Sequence, residues 1–116
     1  MTLYSYTFTE LAKSDIDETI NYVSNKLNNT HAARRLYQDI ISKIHVIRSL
    51  PYAYPDCQIY LIDDVYTRRA LVDNYVLIYE INEINKSITI LRFLYYRRDI
   101  ACEIEPRGST SNPANN

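Results

Sequence analysis

The stretch from residue 66 to residue 99 constrains the fold of this chain more than any other part. Segments rich in β-branched and aromatic residues follow one another there, and polar turns of a few residues separate them. Strands are expected at 66–72, 75–81 and 87–94, with a further short strand just upstream at 58–62. Because such short connections favour antiparallel pairing, the sequence predicts a C-terminal antiparallel sheet of three to four strands.

Two apolar stripes with helical spacing precede the sheet. Thr7 and Glu10 form a capping-box pattern, which predicts a first helix that runs to about Asn28. Thr30 is the expected cap of a second helix, which Pro51 ends. The stripes consist of Ala12, Ile16, Ile20, Val23 and Leu27, and of Ala33, Leu36, Ile40, Ile44, Ile47 and Leu50. The short polar break between the helices predicts an antiparallel hairpin.

The chain begins with an alternating segment that is typical of a strand. In residues 2–8, Tyr4, Tyr6 and Phe8 alternate with small polar residues, as in a strand buried on one face. A strand, two helices and then consecutive strands predict an α+β domain with the helical hairpin on one face of the sheet. One domain is expected over residues 1–104, and the almost wholly polar residues 105–116 are expected to form a disordered tail.

Several functional classes find no support in the composition. No window approaches the ~18 consecutive apolar residues of a membrane span, and the start lacks a signal sequence, so the cytoplasm is the expected location. Cys57 and Cys102 do not suggest a disulfide framework or a zinc site. Gly108 is the only glycine, which excludes a glycine-rich phosphate loop. His31 and His45 lie on the predicted helices without further ligands. No cofactor or metal is therefore expected.

Basic and aromatic side chains stand at the ends of two predicted strands. Arg68 and Arg69 open one strand, and a Tyr-Tyr-Arg-Arg run at 95–98 follows another. Residues 66–98 carry six basic and three acidic side chains, a net charge of +3 in a chain whose net charge is −1. If the strands pair as predicted, we expect the two groups to meet at one end of the sheet. Guanidinium groups bind phosphate and phenol rings stack on bases, so the two groups together would suit RNA or a nucleoprotein. The alternative is that basic strand ends only keep the sheet soluble.

The other polar and aromatic groups have simpler interpretations. Asp15, Asp17 and Glu18 crowd the first helix, where negative charge suits the helix dipole, and they are interpreted as a solvated face. Most of the twelve Tyr residues are expected in the core or in strands.

An ordered set of motifs resembles the RelE/ParE superfamily of toxins from bacterial type II toxin–antitoxin modules. The motifs are a helical hairpin that ends in Ile47-Arg48-Ser49-Leu50-Pro51, then Arg69-x-Leu71-(x)3-Tyr75-Val-Leu-Ile-Tyr79-Glu-Ile, then Ile90-Leu91-Arg92-Phe-Leu-Tyr-Tyr-Arg97-Arg98-Asp99. The resemblance covers roughly residues 3–100. It implies a toxin that arrests growth or stabilises a plasmid. A cognate antitoxin protein is expected to neutralise this toxin.

The resemblance implies one of two targets. RelE-like members cut mRNA in the ribosomal A site, and ParE-like members poison DNA gyrase by binding alone. By position, the resemblance assigns catalysis to Arg69, Tyr96, Arg97 and Arg98, and RNA contacts to Arg68, Arg92 and Tyr95. The first expectation is a ribosome-dependent endoribonuclease (an mRNA interferase), in which the ribose 2′-OH attacks and guanidinium groups stabilise the transition state. The gyrase poison is the alternative, because Val76 stands where the RNases commonly carry Arg and no His lies near the basic run.

Overall fold

The computed structural model describes residues 3–55 and 67–96, and its element order confirms the predicted α+β fold. The elements are β1 (Ser5–Phe8), α1 (Glu10–Asn21), a π-helical turn (Tyr22–Lys26), α2 (Thr30–Ser49), a 3-10 turn (Pro51–Ala53), β2 (Thr67–Val72), β3 (Tyr75–Asn82) and β4 (Ser87–Tyr95). The strand expected at 58–62, the end of the expected domain and the expected tail at 105–116 lie outside the described residues.

The described strands form one sheet in the order β1-β4-β3-β2. The last three strands pair antiparallel as predicted, because tight polar turns connect them. The sequence did not reveal that β1 pairs with β4, and in parallel, with Ser5 opposite Ser87 and Phe8 opposite Ile90. The helical hairpin serves as the crossover between these two strands. As a result, β3 and β4 are the central strands of the described sheet.

The core lies between the helical hairpin and one face of the sheet, which we call the helix face. The helices contribute Ala12, Ile16, Val23, Ala33, Leu36, Ile40, Ile44 and Ile47, and the sheet contributes Ala70, Val72, Leu77, Tyr79, Ile88, Ile90 and Phe93. The helical residues are those of the predicted stripes. Leu27 and Leu50, the last members of the stripes, are instead more than half exposed, because regular α-helix has ended before each of them.

Both helix caps lie one or two residues away from the predicted positions. Thr9, and not Thr7, caps α1: its Oγ1 accepts a hydrogen bond from the Ala12 N–H at 3.0 Å. Thr7 cannot serve, because it lies within β1 and pairs with β4. Asn29, and not Thr30, caps α2 by accepting the Ala32 N–H on its Oδ1 at 3.0 Å. Each prediction named the wrong residue, although the true cap is also a residue type that commonly caps helices. The reason is that several residues able to cap lie close together at each site.

The alternation predicted for the first strand is only partly confirmed. Tyr4 and Phe8 pack against the core, but Tyr6 is exposed. Its ring lies under the Arg48 guanidinium at 5.2 Å and against Phe8 at 5.9 Å. The reason is that β1 lies at an edge of the described sheet, where the hairpin covers only part of the strand. Separately, no helix in the described ranges is long and apolar enough to cross a membrane.

Candidate functional site

The sheet aligns two of the arginines that the sequence singled out. Arg69 on β2 lies opposite Ile78 on β3, and Ile78 lies opposite Arg92 on β4. Since neighbouring strands are about 4.8 Å apart, the two arginine Cα atoms are about 10 Å apart across the sheet. We call the side that Arg69 and Ile78 face the outer face, because the core residues Ala70 and Leu77 face the helices.

The direction of the strands separates Arg69 from the end of β4. Strands β2 and β4 both run antiparallel to β3, so they run in the same direction. Val72 on β2 and Tyr95 on β4 both lie opposite Tyr75, so they are at the same level of the sheet. Val72 is three residues after Arg69, so this level is about 10 Å along the strand from Arg69. The Tyr96 N–H donates to the Asn74 carbonyl at 2.7 Å, beside the β2–β3 turn. The expectation that the start of β2 and the end of β4 share one end of the sheet was therefore wrong.

Arg97 and Arg98 lie outside the described residues, so their assigned roles stay predictions. Tyr95 can be placed. Its ring contacts Tyr75 edge-on at 5.5 Å, and Tyr75 stacks on the core residue Phe93 at 5.1 Å. Tyr95 thus belongs to the helix face and does not share the outer face with Arg69. Burial, and then the neighbouring phenol of Tyr95, raises the pKa of Tyr75.

Arg92 is held by a carboxylate of α1. Its Nε lies 2.7 Å from Asp15 Oδ2 and its Nη2 lies 3.1 Å from Asp15 Oδ1, a bidentate pair. Asp15 Oδ2 also accepts a hydrogen bond from the Phe93 N–H at 3.0 Å. The pairing of β1 with β4 ends at Ile90, so α1 and not β1 lies beside β4 at Phe93. The hydrogen bond with Asp15 raises the pKa of Arg92. The interpretation of Asp15 as a solvated residue was wrong, and the RNA contact assigned to Arg92 stays a prediction.

Arg68 faces the helix side and secures the segment after α2. Its Nη1 donates to the carbonyl of Tyr52 at 3.2 Å and to the carbonyl of Tyr54, and its guanidinium lies over the Tyr52 ring at 5.0 Å. The Tyr79 hydroxyl donates to the Pro51 carbonyl at 2.7 Å, next to these contacts. The Arg69 backbone N–H extends the attachment by donating to the Pro55 carbonyl at 3.0 Å. Arg68 therefore has a structural role on the opposite side of the sheet from Arg69.

A polar cluster that the sequence did not reveal centres on Glu83, in the β3–β4 turn. Its carboxylate accepts the Tyr4 hydroxyl at 2.9 Å, the Tyr52 hydroxyl at 2.5 Å and the Lys86 ammonium at 2.5 Å. The hydrogen bonds from Lys86, Tyr52 and Tyr4 lower the pKa of Glu83 to about 2. The hydrogen bond to Glu83 in turn raises the pKa of Tyr52 to about 12. The carboxylate is thus kept ionised as an acceptor that joins three segments far apart in sequence.

Glu80 is an acidic residue on the outer face, the same face as Arg69. It lies opposite Thr67 on β2 and Thr89 on β4, two residues along β3 from Ile78. It is half-buried and was not singled out from the sequence. A carboxylate in this position has the chemistry of a general base. Among the residues that the structure describes, no group of three or more His, Cys, Asp or Glu residues is placed to hold a metal ion.

Comparison with known proteins identifies one family. Residues 6–100 match the family model described as "ParE toxin of type II toxin-antitoxin system, parDE". No curated protein matches the chain significantly by sequence.

The fold is shared by solved structures from toxin–antitoxin systems. The chain is similar to one from the chromosomal ParDE toxin–antitoxin system of P. aeruginosa, with a TM-score of 0.64 and 16% identity over 82% of this chain and 98% of that one. It is similar to a chain of the toxin–antitoxin complex RelBE2 from Mycobacterium tuberculosis (TM-score 0.58, 17% identity, 83% and 94% covered). It is also similar to a chain of the archaeal RelE–RelB complex from Pyrococcus horikoshii OT3 (0.53, 16%, 82% and 96%).

Proposed function

Because the chain belongs to the ParE toxin family of type II toxin–antitoxin systems, we propose that it arrests bacterial growth by binding DNA gyrase and trapping the cleaved-DNA complex. In this mechanism the toxin acts by binding alone and performs no catalysis of its own. The observation that carries the proposal is the family match, which extends over residues 6–100 and so includes the helical hairpin and every described strand but the first residue of β1.

The geometry of the sheet supports binding over catalysis. An RNase of this fold needs several cationic side chains to converge on one phosphate. Arg92 is already paired with Asp15, and Arg68 contacts backbone carbonyls on the helix face. Val76, at the position where the RNases commonly carry Arg, is a buried apolar residue. A binding poison has no need of such convergence.

Ribosome-dependent mRNA cleavage is the second candidate, and the position of Glu80 favours it. Glu80 lies near Arg69 on the outer face, where it would accept the proton of the attacking 2′-OH while Arg69, Arg97 and Arg98 stabilise the transition state. Tyr96 would stack on a base, since a phenol with a pKa near ~10 is a poor base at neutral pH. Glu80 thereby supplies the proton acceptor that the arginines and tyrosines lack.

A cognate antitoxin is the proposed protein partner in either case. The similar solved structures come from toxin–antitoxin systems, two of them described as complexes. Antitoxins of this kind commonly carry a segment that is disordered alone and folds on binding, which buries apolar surface and masks basic charge.

Two assays with the purified full chain separate the candidates. In the first, gyrase, relaxed plasmid and ATP are mixed with the toxin, and supercoiling and protein-linked DNA breaks are measured. In the second, a reconstituted translation system is scored for cuts in the mRNA at the A site. Inhibited supercoiling with accumulated breaks and intact mRNA is the expected result. Cut mRNA with normal supercoiling would replace the proposal with the RNase.

Glu80→Gln is the matched variant for these assays, because it keeps the size of the side chain and removes only its ability to accept a proton. Gyrase inhibition should be unchanged by it. If the wild-type chain instead cuts mRNA and Glu80→Gln loses that activity, the second candidate is established.

A further inference from the structure

The turn between the two helices carries positive charge and contains no acidic residue of its own. We call residues 22–38 the hairpin tip: the π-helical turn, the connecting residues and the first turns of α2. The tip contains Lys26, Arg34 and Arg35 and no Asp or Glu, so its net charge is +3. The nearest acidic residues along the chain are Glu18 and Asp39, on either side of it. In a chain with a net charge of −1, this is a marked separation of charge.

The three basic side chains of the tip differ from the other basic residues in 3–55 and 67–96. Lys13, Lys86 and Arg92 pair with carboxylates, Lys43, Arg48 and Arg68 lie over tyrosine rings, and Arg69 is also in contact with its surroundings. Lys26, Arg34 and Arg35 are exposed and have neither an ion pair nor a ring contact within the described residues. Within the described ranges, the charges of these three side chains are therefore exposed to solvent.

Exposed aromatic and apolar side chains surround this charge. Tyr22, Leu27 and Tyr37 are 53%, 55% and 52% exposed. Asn25 and Asn28 add exposed amide groups at the turn. Arginine and lysine with neighbouring Asn and Tyr side chains are the set that proteins use to contact phosphate and sugar.

We propose that the hairpin tip binds the phosphate backbone of duplex DNA. The inference deepens the proposed function, on which it rests for the choice of DNA: the tip would hold the segment that gyrase has cleaved. An acidic peptide is the rival occupant. Duplex DNA fits better, because the guanidinium groups of the adjacent Arg34 and Arg35 leave the helix about 100° apart and suit charges spread along a backbone more than one carboxylate.

The salt dependence of binding measures how many of these charges meet phosphate. Each neutralised phosphate of B-DNA contributes a slope of about −0.9 to log K against log salt, so three contacts predict about a 40-fold loss of affinity for a fourfold rise in salt. With Arg34 and Arg35 removed, one contact is left and the same rise costs about 3- to 4-fold. The slope therefore tests the inference even where absolute affinity is modest.

The experiment is a fluorescence-anisotropy titration of a short labelled DNA duplex with the full-length chain at several salt concentrations. The test variant is Arg34→Ala with Arg35→Ala, and Arg34→Lys with Arg35→Lys keeps the charge. Arg34→Ala alone is matched with Lys13→Ala, which removes one equal charge from an exposed position of the other helix. Circular dichroism and thermal unfolding confirm that each variant folds. A poly-glutamate peptide is the competitor for the rival occupant.

The expected result is a slope that falls by about 2 in the double alanine variant, survives in the double lysine variant and is unaffected by Lys13→Ala. Equal slopes in the wild-type and the double alanine chain would overturn the inference, and so would tight binding of poly-glutamate that depends on Arg34 and Arg35 while DNA binds weakly. The gyrase assay separates the two proposals. Gyrase inhibition without tip-dependent DNA binding refutes only this inference, and tip-dependent DNA binding without gyrase inhibition refutes only the proposed function.

Discussion

Replacement of Asp15 by alanine is expected to destabilise the fold by about 3 kcal/mol, because it leaves the Arg92 charge unpaired in a site with little solvent. The side chains of Arg92 and Asp15 are only 19% and 11% exposed. Removal of one partner from a buried pair costs about 3–5 kcal/mol, and the Phe93 N–H also loses its acceptor at a further cost of about 1 kcal/mol or more. Water that enters the partly open site recovers part of this cost, which lowers the expected loss to about 3 kcal/mol.

A loss of this size is readily measured. Domains of this size are stable by about 5–15 kcal/mol, and about 3 kcal/mol corresponds to a fall in melting temperature of roughly 12 °C. Urea unfolding followed by circular dichroism gives the free energy of unfolding. Asp17→Ala is the matched control, since Asp17 lies on the same helix and is exposed, and it should change the stability by no more than about 0.5 kcal/mol.

A double variant tests the physical reason. Asp15→Leu with Arg92→Met removes both charges, so no charge is left without a partner and much of the lost stability should return. The reasoning is refuted if Asp15→Ala and Asp17→Ala unfold at the same urea concentration. It is also refuted if the double variant is as unstable as the sum of its single substitutions.

Three further predictions concern single side chains. Thr9→Ala should lower the free energy of unfolding by about 1–2 kcal/mol, while Thr7→Ala should cost less, and equal losses in urea unfolding would contradict the observed cap. The pKa of Glu83 is lower in the folded state, so its carboxylate should contribute stability that is fully present above pH 4.5 and is lost as the pH falls through about 2. In acid titrations followed by circular dichroism, Glu83→Gln should lack this contribution. Asp73 has a φ of 54°, which glycine adopts without steric cost. Asp73→Gly should therefore raise the free energy of unfolding by about 0.5–1 kcal/mol and the melting temperature by a few degrees. Asn74→Gly is the control and should raise neither, because φ is not positive at Asn74.

The sequence predicts the parts of this fold that depend on neighbouring residues. The apolar stripes identified the buried helical positions, such as Ile40 and Ile44, because a helix repeats its environment every few residues. The caps were misplaced by one or two residues, because Thr7, Thr9, Asn29 and Thr30 are all chemically able to cap. Only the pairing of β1 with β4, which uses the backbone around Thr7, decides between the first two.

Contacts between residues far apart in the chain could not be predicted from the sequence. Asp15 and Arg92 are 77 positions apart, and Tyr4 and Glu83 are 79 apart. No periodicity connects such pairs, so Asp15 resembled any solvated acidic residue in the N-terminal half of a helix. The separation of Arg69 from the end of β4 is different. Two strands that are each antiparallel to a third must run the same way, so the predicted turns already implied it.

The parallel pairing of β1 with β4 also affects how the protein is made. Ser5 and Ser87, paired in the sheet, are 82 residues apart in the chain, and a ribosome needs about 4–16 s to synthesise that length. The first strand therefore waits, without its hydrogen-bond partner, until the residues from Ser87 onward have been synthesised. A polypeptide released before Ser87 contains the helices but lacks the strand that joins β1 to the remaining sheet. Such incomplete products are expected to stay unfolded, and so to do no harm to the cell in which they arise.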